Sequence, residues 1–271
     1  MSLEEFNEIL QTSNIKKKKE FIDKYLKLLL DNRDIDDNFE PIIFKMPSYA
    51  PFCKIVTPDK LANRKDFTSN EGLASLVHSI VHIEYSAIDL ALDAVYRFGD
   101  MPIEYKIDWL IVADDEIRHF NMLIEILKDL GFKYGDFPVH SGLFDIANNT
   151  SANIIERMAI VPRYYEASGL DVNPQIIKKL HNRRKIPIIA KIIDALNIIY
   201  QEEIEHVYKG DKWFKYLCDK KDLNYKDEYQ LILKKYYLDR KHRPHINVKA
   251  RKEAGFSCDE ILLLGAKECN D

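Results

Sequence analysis

The sequence predicts an all-α protein built on four long helices. Apolar residues recur at spacings of three and four over four long segments, which is the period of an α-helix. The alternation of apolar and polar residues that would predict strands is nearly absent. Each apolar stripe is interrupted by ionisable residues near its middle. These observations together predict a helical bundle with a polar site in its interior.

The remaining elements follow from punctuation along the chain. The four long helices are expected over residues 70–98, 103–130, 151–170 and 187–217. Thr150 or Ser151 suits the N-cap of the third helix. We expect a helix over 3–32, an extended connection over 33–69, a loop over 131–149, a fifth helix over 226–238 and an irregular tail after Arg243. This predicts an N-terminal extension and linker (1–69), a four-helix core (70–217), and a C-terminal helix and tail packed on the core (218–271).

Composition bounds the class of protein. The chain has 271 residues, 46% of them hydrophobic, which is enough for a sizeable core. The net charge of −4 comes from 40 basic and 44 acidic residues, and this balance argues against a nucleic-acid binder driven by bulk charge. We interpret the basic run Lys16–Lys19 as a solvated helix face.

Four scattered cysteines and a polar N-terminus bear on the compartment. No Cys-x-x-Cys occurs, which argues against a disulfide framework and a zinc ribbon. The chain begins without an apolar signal region, and no apolar run approaches the roughly 20 residues that span a bilayer. We therefore expect a cytoplasmic protein that does not enter a membrane.

Six residues stand where the apolar stripes would predict Leu or Ile. They are Glu84 in the first helix, Glu116 and His119 in the second, Glu166 in the third, and Glu203 and His206 in the fourth. Burying four carboxylates in one core is prohibitive unless cations neutralise them. Two divalent ions would supply four positive charges, and mixed Glu and His ligands suit iron or manganese. The alternative is ion pairing of these carboxylates with Arg118, Arg157 or Arg163 on partly exposed faces.

The order of the six residues strengthens the metal interpretation. Fewer than one Glu-x-x-His is expected by chance from the numbers of Glu and His, and the chain has two, each preceded by a Glu in the previous helix. This matches the known pattern of di-iron carboxylate bundles of the ferritin-like type, with one Glu from each of two helices and Glu-x-x-His from each of the other two. Asp115 and Glu202, each four residues before a ligand histidine, could accept the second N–H of an imidazole or face solvent.

Several blocks resemble a bacterial ferritin-like family of unknown function, the domain of unknown function 455. The similar blocks are His82-Ile-Glu-Tyr-Ser-Ala-Ile, Asp115-Glu-Ile-Arg-His-Phe, Tyr134-Gly-Asp-Phe-Pro, Glu166-Ala-Ser-Gly-Leu-Asp-Val, Glu203-Ile-Glu-His-Val and Asn247-Val-Lys-Ala-Arg-Lys-Glu-Ala-Gly-Phe. The resemblance covers most of the chain from about residue 50 onward. It implies a ferritin-like four-helix core with a dinuclear site at the six residues. The pattern departs at Glu202 and Glu205, where the resemblance predicts Asp and a small residue.

These observations predict an oxidoreductase that uses O₂ or peroxide at a centre of two iron ions, or of manganese and iron. Glu116 and Glu203 would bridge the ions. An organic substrate is unknown; hydroxylation of a modified nucleoside in tRNA is one version, and peroxide removal is another. Without a Cys-x-x-Cys module, electrons would come from an external donor. A homodimer is compatible with the sequence. The alternative is non-enzymatic iron binding or storage, although the extensions at both ends would obstruct a cage.

Overall fold

The structure is a computed structural model that describes residues 2–31, 40–61, 67–239 and 245–270, and these are all-α, as predicted. A parallel bridge between Ile55 and Val139 is isolated, and no strand occurs in these ranges. The helices are α1 (Leu3–Gln11), α2 (Ile15–Leu30), α3 (Asn70–Arg97), α4 (Ile103–Asp129), α5 (Gly142–Asn149), α6 (Ile154–Ile160), α7 (Ala167–His181), α8 (Pro187–Lys220), α9 (Tyr225–Lys235), α10 (Val248–Glu253) and α11 (Cys258–Leu263). A 3₁₀ turn spans Pro58–Lys60, and a π-helical segment spans Val161–Glu166.

The chain divides into two compact units, residues 1–148 and 149–271. The three-part division predicted from the sequence stays a prediction. In the first unit, α3 and α4 are joined by a short turn and pack against each other, while α1 packs on α3 and α2 on α4. In the second unit, α6, the π-helical segment and α7 pack along α8, and α9 and α10 also contact α8.

The predicted N-terminal helix is two helices. Residues 12–14 break it because Asn14 adopts an extended backbone and caps α2, its side chain accepting a hydrogen bond from the Lys17 N–H at 3.2 Å. The interpretation of Lys16–Lys19 as a solvated face was wrong for Lys18. That ammonium is fully buried and donates to the Asp89 carboxylate and to the Ile9 carbonyl, both at 2.7 Å.

The segment predicted as a loop over 131–149 ends in a helix. Ile146 and Ala147 of α5 are buried, and the apolar contact they make explains why this short stretch is helical. The preceding stretch is fastened to α3 by two buried histidines. His78 Nε2 accepts from the Gly135 N–H at 2.9 Å. His82 Nε2 lies 2.9 Å from the carbonyl of His140, so it must be the donor there, and Nδ1 then accepts from the Tyr134 hydroxyl at 2.8 Å.

The third long segment differs most from its prediction. Its N-cap is Asn153 rather than Thr150 or Ser151, since the Asn153 side chain accepts from the N–H groups of Ile155 and Glu156. The segment changes to π-helical geometry at Val161 and then continues as α7 to His181 instead of ending near residue 170.

A side chain from the tail allows α7 to pass through Pro174. Proline has no N–H, so the carbonyl four residues earlier, that of Leu170, loses its helical donor. The Asn247 side-chain amide replaces that donor at 3.1 Å. Asn247 also caps α10 by accepting from the Ala250 N–H. The helix therefore extends because a residue far along the chain completes its hydrogen bonding.

The tail that the sequence predicted as irregular contains α10 and α11. Arg251 of α10 is fully buried and binds Asp171 of α7 through two nitrogens at 3.0 and 2.6 Å. Ser257 and Glu260 form a capping box at the start of α11, a signal that was readable in the sequence. A disulfide joins Cys258 to Cys269, which the expectation of scattered, unpaired cysteines did not anticipate. None of the helices in the described ranges is long and apolar enough to cross a membrane.

Candidate metal centre

Three of the six predicted residues lie on α3 and α4 of the first unit. Glu84 is in the middle of α3, and Glu116 and His119 are one turn apart on α4. The relative exposure of Glu84 is 3%, and that of Glu116 and His119 is 0%. Two carboxylates and an imidazole are thus removed from water on the apolar faces of two packed helices.

The donor atoms of these three residues converge. His119 Nδ1 lies 3.2 Å from Glu84 Oε2 and 3.4 Å from Glu116 Oε2. One potential ligand atom from each residue lies within 4.8 Å of the others. Atoms at these separations can coordinate one cation, because ligand distances for transition metals are about 2.0–2.2 Å for imidazole nitrogen and carboxylate oxygen.

The charges of the cluster require compensation. Burial of the His119 ring opposes its charging, but the hydrogen bonds and negative charges of Glu116 and Glu84 outweigh burial and raise the pKa of His119 to about 11. One imidazolium still offsets only one of two buried carboxylates. The remaining negative charge favours a cation. This buried carboxylate and histidine cluster is compatible with metal binding, since a metal ion accepts the same donor atoms that hold the His119 proton.

The other three predicted residues lie in the second unit. Glu203 and His206 are one turn apart on α8 and both are buried, with His206 Nδ1 at 3.8 Å from Glu203 Oε1. Glu166 is the last residue of the π-helical segment, and its Oε2 is shielded from solvent. Glu203 and His206 therefore repeat on α8 the burial and spacing that Glu116 and His119 have on α4.

A glycine allows the π-helical segment to lie against α8. Gly210 is one turn after His206, and a Cβ built on Gly210 would overlap the ring of Pro162. Only glycine leaves room for this approach. Short π-helical segments are frequent at functional sites because they change the direction in which a helix presents its side chains. Gly210 and Pro162 thus set how the helix presents Glu166.

A buried arginine anchors the same segment. Arg163 donates to Asp211 on α8 at 2.9 Å and to Glu260 on α11 at 2.6 Å. Its guanidinium also lies over three aromatic rings, at 4.2–4.7 Å from their centroids: Phe214, Tyr229 and Phe256. The sequence reasoning missed this cluster. Because Asp211 and Glu260 hold Arg163, its charge is not directed to Glu166.

Comparison with known proteins agrees with these features. The sequence matches the family described as protein of unknown function (DUF455) over residues 11–262. The chain belongs to this family. It is 36% identical over 249 residues to an uncharacterised protein of Haemophilus influenzae, an alignment that covers 84% of each chain. No solved structure matches the chain. The matched range contains all six predicted ligands and the Arg163 cluster as far as Glu260.

The two further residues predicted beside the ligands have different surroundings. Asp115 is half-buried and accepts a hydrogen bond from Arg118 at 2.7 Å. Glu202 is half-buried on α8. Their role in orienting the imidazoles stays a prediction. The other arginine considered as an ion-pair partner, Arg157, is buried and donates to the Thr150 hydroxyl at 2.8 Å.

Proposed function

We propose that this chain is a ferritin-like four-helix protein that holds two transition-metal ions, iron or a manganese and iron pair, and acts as an O₂- or peroxide-dependent oxidoreductase. The observation that carries the proposal is the convergence of Glu84, Glu116 and His119 in a buried cluster. The proposed bundle consists of α3, α4, the continuous segment from α6 to α7, and α8. Its sequence order, Glu then Glu-x-x-His, occurs twice.

Charge supports two ions rather than one. The proposed ligand set has four carboxylates and two imidazoles: Glu84, Glu116, His119, Glu166, Glu203 and His206. Two divalent ions would match the four negative charges, while the imidazoles bind as neutral ligands. Carboxylate oxygens are hard donors and favour the higher oxidation state of iron, whereas thiolate ligands are absent from the set.

The chain's own residues would hold the ions and exclude water. In the proposal Glu116 and Glu203 bridge the two ions, Glu84 and Glu166 each bind one, and His119 and His206 each bind one. Two such ions supply redox chemistry with O₂ or peroxide. Buried apolar side chains lie on the same helix faces and would keep bulk water from the centre: Ile88, Val112, Leu123, Leu196 and Ile199.

Metal analysis with a matched pair of variants tests the site. Anaerobically reconstituted protein should contain two iron ions per chain. Glu116→Gln should lose both, because it removes a bridging carboxylate. Glu125→Gln is the control, since Glu125 is on the same helix and its side chain is 72% exposed. Equal metal content in the two variants, or a single zinc ion that iron cannot displace, would refute the proposed centre.

A second measurement separates an oxidoreductase from a protein that only binds iron. The visible absorption of the ferrous protein should change on exposure to O₂ or peroxide, and Glu116→Gln should abolish the change. Iron that binds at two per chain yet stays ferrous in prolonged air would support the metal site and refute the oxidoreductase proposal.

A further inference from the structure

The chain carries two basic runs, and their surroundings differ. Every lysine of the run Lys16–Lys19 lies within 4 Å of a carboxylate. The partners, in order along the run, are Glu20, Glu8, Asp89, and the pair Asp23 and Asp114. The second run is Lys-Lys-Leu-His-Asn-Arg-Arg-Lys over residues 178–185, and we call it the basic loop. It forms the end of α7 and the connection to α8.

The basic loop is exposed and has few acidic neighbours. Lys178, Lys179 and Lys185 are exposed, and no carboxylate in the described parts of the chain makes a salt bridge with any of them. Arg184 pairs with Asp194 at 2.9 Å, but both side chains are more than half exposed, so the pair neutralises little. No Asp or Glu occurs between residues 172 and 193, although the whole chain has a net charge of −4. The loop therefore concentrates positive charge on an otherwise acidic protein.

Helix electrostatics accounts for only part of this charge. Basic residues in the last turn of a helix are favoured by its dipole, which explains Lys178, Lys179 and His181. Arg183, Arg184 and Lys185 come after α7 has ended. The first turn of α8 contains no acidic residue that would balance them. The charge beyond the helix end thus has no structural role that the fold requires.

An open cleft adjoins the basic loop. Its volume is about 570 Å³, within the roughly 300–1,000 Å³ typical of ligand sites. The basic loop contributes Lys178, His181 and Asn182 to its wall, and α8 contributes Asn197 and Tyr200. The Tyr200 hydroxyl is held by the Asn247 amide at 2.8 Å, which fixes the ring in the cleft wall. The cleft thus combines an ammonium group, two rings and two exposed amides.

We propose that the basic loop and this cleft form a binding surface for single-stranded nucleic acid. Lysine and arginine side chains bind phosphates through charge, and unstacked bases bind protein by stacking on His and Tyr rings and by hydrogen bonds to amides. The phosphates follow the basic loop, and one base enters the cleft between His181 and Tyr200. An acidic protein or an anionic membrane would use the charge, but neither would use rings and amides in a cleft of this size.

Fluorescence anisotropy with the full-length protein tests the surface. The probes are fluorescein-labelled single-stranded oligonucleotides of ribose and deoxyribose type, an abasic oligonucleotide of equal length, and vesicles with and without phosphatidylserine. Lys179→Gln/Lys185→Gln removes two charges from the basic loop. Lys16→Gln/Lys17→Gln is the matched control, because it removes two charges from the neutralised run. Circular dichroism checks that both variants fold.

The expected results follow from counterion release. Each lost phosphate contact should lower the slope of log K against log salt by about 0.7, so the loop variant should bind about tenfold more weakly in 0.1 M salt. The control should bind as the wild type does. His181→Ala should lose several-fold affinity for the base-bearing oligonucleotide and little for the abasic one. Equal losses in the two double variants, or binding to phosphatidylserine vesicles but not to oligonucleotides, would overturn the proposal.

Discussion

Two glycine-to-alanine changes in the second unit should affect stability in opposite directions. Gly210 lies in the interior of α8, and an added Cβ would overlap the Pro162 ring. Gly169 lies in the first turn of α7, and a Cβ there would meet nothing within 4 Å. Neither glycine has a positive φ, so alanine itself is compatible with both backbones. The difference between the variants therefore isolates the packing of the π-helical segment against α8.

The expected magnitudes combine two effects. Replacing glycine with alanine inside a helix gains about 0.5–1 kcal/mol, mainly through the entropy of the unfolded chain. At Gly169 this gain should appear undiminished. At Gly210 overpacking should cost about 1–3 kcal/mol, because a proline ring is rigid and the backbone must move to relieve the overlap. We thus expect Gly169→Ala to stabilise the second unit by up to about 1 kcal/mol and Gly210→Ala to destabilise it by about 1–2 kcal/mol.

Chemical denaturation followed by tryptophan fluorescence measures both changes. The chain has two tryptophans, Trp109 in the first unit and Trp213 in the second. A Trp109→Phe background makes the signal report the second unit. If Gly210→Ala unfolded at the same or a higher denaturant concentration than its background, the close approach of Pro162 to α8 would be wrong.

Three further changes probe the buried polar groups of the second unit. Arg163→Met should cost about 3–5 kcal/mol by leaving buried carboxylates uncompensated, whereas Arg184→Met, in a pair of equal 2.9 Å distance but more than half exposed, should cost under about 1 kcal/mol; equal losses in denaturation midpoint would contradict this. Asn247→Ala should cost about 1–2 kcal/mol in wild type but less in a Pro174→Ala background, where a backbone N–H replaces its amide, and a double-mutant cycle without coupling would disprove the replacement. Burial opposes the ionisation of Glu260, but its hydrogen bonds and the buried arginine's charge lower its pKa below 4.5, so its stabilisation is complete above that pH and lost as pH falls through the lowered value; Glu260→Gln should flatten the acid limb of the stability profile.

The sequence predicted the long helices well because their apolar stripes are long and regular. The predicted and observed ends of α3, α4 and α8 differ by at most three residues. Each of these helices has more than 25 residues and a buried face that repeats with the helical period, so the pattern is over-determined. The all-α class follows from the same regularity. The residues that interrupt the stripes were readable for the same reason, and Glu84, Glu116 and His119 are indeed buried where the stripes are buried.

The elements that the sequence missed depend on partners far away in the chain. Pro174 predicts the end of a helix, and α7 passes through it only because Asn247 supplies a donor from 73 residues later. Lys18 is a surface residue by local pattern, yet it is buried because Asp89 lies opposite. The pairing of Cys258 with Cys269 needs the turn after α11, which no local signal fixes. Local rules cannot supply such contacts, since they follow from tertiary structure.

The partners of Arg163 bear on how the proposed metal ligands are interpreted. Ion pairing with arginine was the alternative to a metal for the carboxylates of the apolar stripes, and Arg163 is one turn before Glu166 on the same segment. In the structure this guanidinium is fully buried between Asp211 and Glu260, which together carry more negative charge than it can match. It therefore has no positive charge to give to Glu166. For that carboxylate the alternative loses its nearest arginine in sequence, and the argument for a bound cation becomes correspondingly stronger.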